Sequence, residues 1–367
     1  MKKITTVDLF CGAGGFSEGF SKAGGYNPLL AIDFDKQAIE TFKYNHPNIN
    51  AICHDISTLS KSNIEVLLKN KKVDVIIGGP PCQGFSLAGK RLPDDPKNQL
   101  FKEYVRIVNI LKPKIFVFEN VVGLVSMQKG LVLEAICEEF SNIGYEVSYS
   151  ILNSADFGVA QARPRFILIG SSDSKKIGMP LPTHEAKIDG SLNLYDSLEP
   201  YVTVKDALSN LPPIQQGEGN EEMNNLKPKT NYQKLLRGTR KVDTLFNHRA
   251  TRHSEKIIQR YSHLPQGGDI KSLPKEFRTK KNNLFRLNES VPSRTITCNF
   301  RTDIIHPWIH RGLTTREAAR LQSFDDDYQF FGNLTRKAKY LTQDDQVGNA
   351  VPPLLSKAIA NHIKAYL

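Results

Sequence analysis

The chain has 367 residues, more than the roughly 250–300 at which one hydrophobic core stops growing, so two unequal domains are expected. No apolar run approaches the roughly 18 residues of a membrane span, and Met1-Lys2-Lys3 leads straight into a strand-like segment, so a cytoplasmic protein with no membrane partner is expected. The net charge of +11 is uneven: Asn225 to Arg316 holds 20 Lys/Arg against 6 Asp/Glu, the rest 29 against 32, which marks one third of the chain as a candidate polyanion-binding region.

Strand-like β-branched or apolar runs occur at Ile4–Phe10, Leu29–Asp33, Asn50–Cys53, Val73–Gly78, Ile115–Glu119, Glu146–Leu152 and Arg165–Gly170. Helical periodicity lies between the first five, near Ser17–Ala23, Lys36–Tyr44, Asn63–Lys69 and Gln99–Leu111, and again at Gly130–Ser141. Such alternation predicts an α/β fold with a mostly parallel sheet covered on both faces, closed by an antiparallel hairpin at one edge. From about Ser171 the sequence turns rich in Pro, Gly, Asn and Lys, as in Leu211-Pro212-Pro213 and Gln266-Gly267-Gly268, and predicts a smaller, irregular domain with long loops. Helical periodicity returns at Thr315–Phe324, with Thr314 or Thr315 as cap, and at Pro353–Tyr366.

The turn Phe10-Cys11-Gly12-Ala13-Gly14-Gly15 joins the first strand to the first helix, and its glycines allow positive φ and close approach of a ligand. Asp33 ends the next strand about 20 residues on, where a carboxylate can hold both hydroxyls of a ribose, so a nucleoside-bearing cofactor is expected. The GxGxxG spacing of dinucleotide sites is not met. Phe10 and Phe34 could sandwich a purine, and Asp55 could accept from its exocyclic amine. Each alone is more often structural, but all stand at the carboxyl ends of successive strands, where such sheets bind ligands.

Five cysteines, Cys11, Cys53, Cys82, Cys137 and Cys298, with no paired CxxC spacing, argue against a disulfide framework and against a metal site. Cys82 differs from the others in context. It follows the fourth strand in Gly78-Gly79-Pro80-Pro81-Cys82-Gln83-Gly84-Phe85-Ser86, where prolines fix the turn and glycines leave room for a planar substrate. Glu119 leaves the fifth strand in Phe118-Glu119-Asn120-Val121, and burial there would favour its protonated form. In Gln161-Ala162-Arg163-Pro164-Arg165 two guanidiniums at alternate positions point the same way in an extended stretch, suited either to carbonyl and phosphate oxygens or to simple salt bridges.

These segments, with Arg316-Glu317-Ala318-Ala319-Arg320-Leu321-Gln322-Ser323-Phe324 and Gln346-Val347-Gly348-Asn349-Ala350-Val351-Pro352-Pro353, make the chain resemble the DNA (cytosine-5) methyltransferases of the bacterial restriction-modification type over nearly its whole length. The resemblance implies a Rossmann-like S-adenosylmethionine-dependent methyltransferase sheet in residues 1–171, a smaller irregular target-recognition domain in 172–310, and a segment 311–367 that returns to the first. It implies Cys82 as covalent nucleophile, with Glu119, Arg163 and Arg165 completing the catalytic set. It further implies Phe10, Gly12, Gly14, Gly15, Asp33, Phe34, Asp55, Ile56, Pro81, Asn349 and Val351 at the cofactor, and Gln83 and Ser86 at DNA. Duplex DNA is then the substrate, a cognate restriction endonuclease a functional partner, and the enzyme a monomer. Pro164 and Asp325-Asp326-Asp327 depart from the usual pattern, away from this chemistry.

Three other readings compete. A branch of the same family modifies transfer RNA with the same constellation; the long basic region favours duplex DNA. Methylation of an exocyclic amine requires an acidic or amide side chain before Pro-Pro and an aromatic after it, where this chain has Gly79 and Cys82. A non-catalytic DNA-binding relative would not need Cys82, Glu119, Arg163 and Arg165 together.

Overall fold

The computed structural model describes residues 3–81, 96–173, 175–186, 198–280, 283–334 and 340–367, with the main chain alone at 96–99. By contact density the chain forms two compact units, one of Met1–Asn153, Pro164–Leu181 and Leu355–Leu367, the other of Ser154–Arg163 and Pro182–Leu354. These divisions fall elsewhere than 171/172 and 310/311, because the segment from 311 to 354 sends its arginines into the second unit, as described below.

The first unit is built on seven strands: β1 (Ile4–Leu9), β2 (Tyr26–Asp33), β3 (Asn50–Cys53), β4 (Val75–Gly78), β5 (Ile115–Asn120), β6 (Glu146–Asn153) and β7 (Pro164–Ser171). Their order in the sheet is β3-β2-β1-β4-β5-β7-β6, parallel except that β7 runs antiparallel to both β5 and β6. The expected edge hairpin is therefore present, with its second strand inserted inside its first. Helices α1 (Gly15–Ala23), α2 (Lys36–Asn45), α3 (Lys61–Leu67), α4 (Pro96–Leu111), α5 (Gly123–Ser126) and α6 (Leu131–Asn142) make the connections. Asp35 caps α2 by accepting from the Ala38 amide, and Ser60 and Asn63 form a capping box on α3.

The strands are buried runs of Val, Ile and Phe, as a sheet covered on both faces requires. Phe101 and Tyr104 of α4, Phe116 and Phe118 of β5 and Phe140 of α6 pack edge to face or tilted, and the Tyr104 hydroxyl donates to the Val117 carbonyl at 2.9 Å. The helix Pro353–Ile363 lies largely in this unit: the Tyr26 hydroxyl donates to Ala360 O at 2.6 Å and the Ser356 hydroxyl to Phe16 O at 2.6 Å. Among the described residues, no helix is long and apolar enough to cross a membrane.

The second unit has little regular structure. Its paired strands are short: Gly219–Asn224 with Thr244–Arg249, Phe285–Arg286 with Ile304–Ile305, and His184–Glu185 with Glu199–Pro200. Buried arginines organise it around the helix Thr315–Leu321, which Thr314 and Glu317 cap with a capping box. Arg311 makes a two-pronged pair with Glu317 at 2.8 and 2.7 Å, and Arg320 one with Asp326 at 2.9 and 2.6 Å. Arg316 donates to the carbonyls of Phe246, Asp325 and Tyr328. Asp327 accepts from the amides of Thr239 and Arg240 at 3.0 and 2.7 Å, so the Asp325–Asp327 run is part of this scaffold.

The charge count needs correcting on this ground. Arg286, Arg301, Arg311 and Arg316, counted as a potential polyanion surface, are buried and committed to internal carbonyls and carboxylates. Residue type records the charge, but burial decides where it is spent.

Removing one member of a buried ion pair leaves the other charge uncompensated. Arg320→Ala should lower stability by about 3–5 kcal/mol, whereas the apolar pair Arg320→Met with Asp326→Leu should recover most of that loss. Urea denaturation checks it; a single variant within 1 kcal/mol of the parent, roughly the worth of an exposed pair, would contradict the structural assignment.

Candidate active site

The cofactor end is formed where β1, β2 and β3 terminate. Phe10 takes a left-handed conformation (φ 58°) immediately after β1, followed by Gly12 (φ 52°) and Gly14 (φ 92°), and Gly15 opens α1. A β carbon at Gly12 would meet nothing within 4 Å, so the turn leaves open space beside the main chain. The Gly12 amide donates to Asp33 Oδ2 at 2.8 Å and the Asp35 amide to Oδ1 at 2.9 Å. Burial raises the Asp33 carboxyl above its ordinary value, and the amides of Asp35 and Gly12 oppose that rise.

Phe34 follows and is 69 % exposed, while Phe10 is partly buried against the core. Asp55 is exposed at the end of the β3 segment and accepts from the Ser57 hydroxyl and amide at 2.7 and 2.9 Å, which holds its carboxyl below the ordinary range. The Ile56 side chain lies in the core, and its carbonyl accepts from Arg106 at 2.9 Å. An open glycine turn, an uncovered aromatic ring and two anchored carboxylates fit a nucleoside-bearing cofactor such as S-adenosylmethionine.

Sequence reasoning assigned no role to Asp8 and Ser17, which support this turn from beneath. Asp8 lies in β1, 3 % exposed, and accepts from the Ser17 hydroxyl at 2.6 Å, whereas its Oδ1 is buried without a hydrogen-bond partner among the described residues. The signal was present in the sequence: an aspartate in the middle of an apolar strand.

The second part of the site lies at the ends of β4 and β5. Gly78 pairs with Leu9 and Phe118 in the ladder, and a β carbon there would collide with the Leu9 carbonyl oxygen. A β carbon at Gly79 would lie 2.8 Å from Glu119 Oε2. Pro80 is buried and Pro81 exposed. Cys82, Gln83 and Ser86 lie outside the described residues.

Glu119 is 8 % exposed, and its Oε1 stands 3.0 Å from Arg165 Nε. Burial pulls the Arg165 guanidinium below its ordinary value, and Glu119 beside it opposes that fall. Arg165 also donates to the Pro164 carbonyl at 2.8 Å. Arg163 belongs to the second unit and is fully buried. It donates to the carbonyls of Ile296 (2.7 Å), Gly348 (2.6 Å) and Ala350 (3.1 Å). Its guanidinium thus fixes the main chain on both sides of Asn349, whose Oδ1 accepts from the Cys298 thiol at 3.2 Å, while Val351 is buried nearby in sequence. One sheet edge therefore gathers Phe10, Gly12, Gly14, Gly15, Asp33, Phe34, Asp55, Pro81, Glu119 and Arg165; Arg163, Asn349 and Val351 group separately within the second unit. Among the described residues, no group of three or more His, Cys, Asp or Glu could hold a metal ion.

Burial raises the Asp8 carboxyl from 3.8 to about 7; Ser17 opposes the rise and Asp33 adds to it. Between those values the folded chain holds a proton that the unfolded chain has released, so this stabilisation is complete below pH 3.8 and is lost as pH rises through about 7. Asp8→Asn removes the titration. Thermal midpoints between pH 5.5 and 8.5 should fall less in the variant than in the parent, and equal falls would count against this assignment.

Residues 4–365 match the family described as C-5 cytosine-specific DNA methylase. The Type II methyltransferase M.DdeI of Desulfomicrobium norvegicum is 39 % identical, over 99 % of this chain and 89 % of that protein. M1.HphI of Haemophilus parahaemolyticus, also a Type II methyltransferase, is 38 % identical over 98 % of this chain and 86 % of that protein. Among solved structures, a DNA modification methyltransferase encoded within an E. coli prophage superposes with a TM-score of 0.78 at 29 % identity, covering 99 % of each chain. With the family matched over nearly its whole length and a doubly wound sheet as its core, this chain belongs to the C-5 cytosine-specific DNA methylase family and is a DNA (cytosine-5-)-methyltransferase by class.

Proposed function

We propose that the protein methylates carbon 5 of a flipped-out cytosine in a specific duplex sequence through a covalent Cys82 adduct, as the modification enzyme of a Type II restriction-modification system. The observation that carries this reading is the placement of Glu119. Its Oε1 is 3.0 Å from Arg165, and its Oε2 faces Gly79, where the chain leaves β4 towards Cys82. The segment that leaves β4, a buried carboxyl and a guanidinium thus meet at one sheet edge beside a glycine turn, which supports the reading.

Carbon 5 of cytosine is a weak nucleophile, and it is hidden by stacking in a duplex, so the base must leave the helix, as substrates of base-modifying methyltransferases generally do. The Cys82 thiolate adds to carbon 6, forming a carbon–sulfur bond and moving electron density to carbon 5. Glu119 delivers a proton to ring nitrogen 3, and Arg165 donates to the ring carbonyl oxygen, so charge built up by the addition is neutralised where it develops. When bound, S-adenosylmethionine supplies an electrophilic methyl group. Asp33 would hold its ribose, Phe10 and Phe34 its purine, and Asp55 the exocyclic amine, with Ile56 and Pro81 completing the pocket by family resemblance. After carbon 5 is methylated, ring nitrogen 3 returns its proton to Glu119, and loss of the carbon 5 proton re-forms the 5,6 double bond and expels Cys82 as thiolate.

Arg163 acts at one remove, by fixing the Gly348–Ala350 main chain. Gln83 and Ser86 are assigned to DNA, and exposed lysines and arginines of the second unit supply phosphate contacts with salt-dependent affinity. The names of the two Type II relatives support a restriction-modification role; a cognate endonuclease as functional partner and action as a monomer enter this reading by family resemblance alone.

The test uses S-adenosylmethionine and a long mixed-sequence duplex carrying 5-fluorocytosine. Fluorine at carbon 5 cannot be lost as a proton is, so the covalent complex accumulates. A denaturation-resistant adduct is expected from the parent and none from Cys82→Ser, and Glu119→Gln should slow methyl transfer on the order of a hundredfold. An adduct that persists in Cys82→Ser, or none from the parent, would overturn the mechanism.

A further inference from the structure

We propose that a hollow in the second unit reads one guanine of the target sequence, with Trp308 as its stacking surface and Gln216 and His310 as specificity-determining donors. The inference rests on duplex DNA being the substrate. The hollow has a volume of about 320 Å³ and is lined by Gln215, Gln216, Ile258, Trp308, Ile309 and His310, all within the second unit. Two buried arginines set its walls. Arg286 donates to the carbonyls of Tyr261 (2.6 Å), His306 (2.7 Å) and Ile309 (3.2 Å), and Arg311 to that of Ile214 at 2.9 Å. Side chains carried on main chain held in this way are preorganised for a ligand.

The polar groups on these walls are donors of fixed direction. Arg286 Nη2 lies 2.9 Å from His310 Nδ1. A guanidinium has no acceptor, so Nδ1 accepts and the ring proton sits on Nε2. Burial and the Arg286 charge hold the imidazole below its ordinary pKa, which favours this neutral form. Gln216 Oε1 accepts from the His253 amide at 2.8 Å, which leaves Nε2 as the donor of that side chain. Neither Nε2 group has an acceptor among the described residues. Trp308 is 40 % exposed, yet its ring is anchored: Nε1 donates to Glu289 Oε2 at 2.7 Å, and His306 meets it edge to face at 5.3 Å. Two donors beside an aromatic face suit a flat ring with two neighbouring acceptors. Guanine presents N7 and O6 on its major-groove edge, whereas adenine puts an amino group where a donor would face it. At the rim, a β carbon on Gly217 would lie 3.3 Å from Arg252 Nε, so this exposed guanidinium stands beside the chain that carries Gln216, placed for a phosphate.

The test methylates a pool of random-sequence duplexes with S-adenosylmethionine and reads the modified sequences. The parent should require guanine at one position, and Gln216→Ala and His310→Ala should each lose about tenfold or more of the discrimination against adenine there, with thermal midpoints close to that of the parent. Arg252→Ala should instead weaken binding to all duplexes alike and lower the salt dependence by about one ion. Trp308 is the chain's single tryptophan, so its fluorescence reports on this hollow alone. The methylated duplex should quench it, and the same duplex with that guanine replaced by adenine should quench it far less. Parent-like discrimination in either folded variant overturns the proposal, as does Trp308 emission that the methylated duplex leaves unchanged. Unfolding of both variants overturns it too, by assigning the two side chains to the fold alone. If the parent methylates no duplex sequence, the substrate reading has failed and this inference falls with it; if the parent methylates one and the variants match it, only the role of the hollow is lost.

Discussion

The site depends on how closely β1, β4 and β5 lie at their carboxyl ends. Gly78 has no space for a side chain because the Leu9 carbonyl is against it, and Gly79 has none because the Glu119 carboxyl is. Sheet hydrogen bonds bring three strands to one edge, and glycine lets that edge stay closed where the chain leaves β4. Strand order reverses direction between β1 and β4, the position at which doubly wound sheets bind their ligands. The glycine turn after β1 and the Glu119 carboxyl near the end of β5 thus flank the segment Gly79–Pro81. A bulkier residue at Gly79 would push the carboxyl away from this edge.

Much of this was legible in the residues. All seven strands of the sheet were expected within a few residues of their ends, because runs such as Val75-Ile76-Ile77 and Phe116-Val117-Phe118 suit only buried strands. The strand-end positions of the glycine turn and of Glu119 could also be read. The insertion of β7 between β5 and β6 could not, since both positions present the same alternation to a single-sequence reading. The Asp8–Ser17 bond escaped for a related reason: partners 9 residues apart leave no periodic trace.

The second unit shows why composition misleads about arginine. A unit with few paired strands has many loop carbonyls that ladders do not satisfy, and a buried carbonyl without a donor is costly. Guanidinium groups, with five donors in a planar fork, can satisfy several at once. Arg316 takes three carbonyls, Arg286 those of Leu264, His306 and Tyr261 among others, and Arg163 three more. The motif from Arg316 to Phe324 is therefore an internal scaffold of the second unit. The DNA-facing charge must come from the remaining lysines and arginines.

The most direct test of the central claim is the identity of the product. Duplex DNA and transfer RNA should be incubated separately with S-adenosylmethionine carrying a labelled methyl group, digested to nucleosides and separated. The account predicts label in 5-methyl-2′-deoxycytidine from the duplex. Label in an N-methylated nucleoside, or in transfer RNA alone, would contradict it.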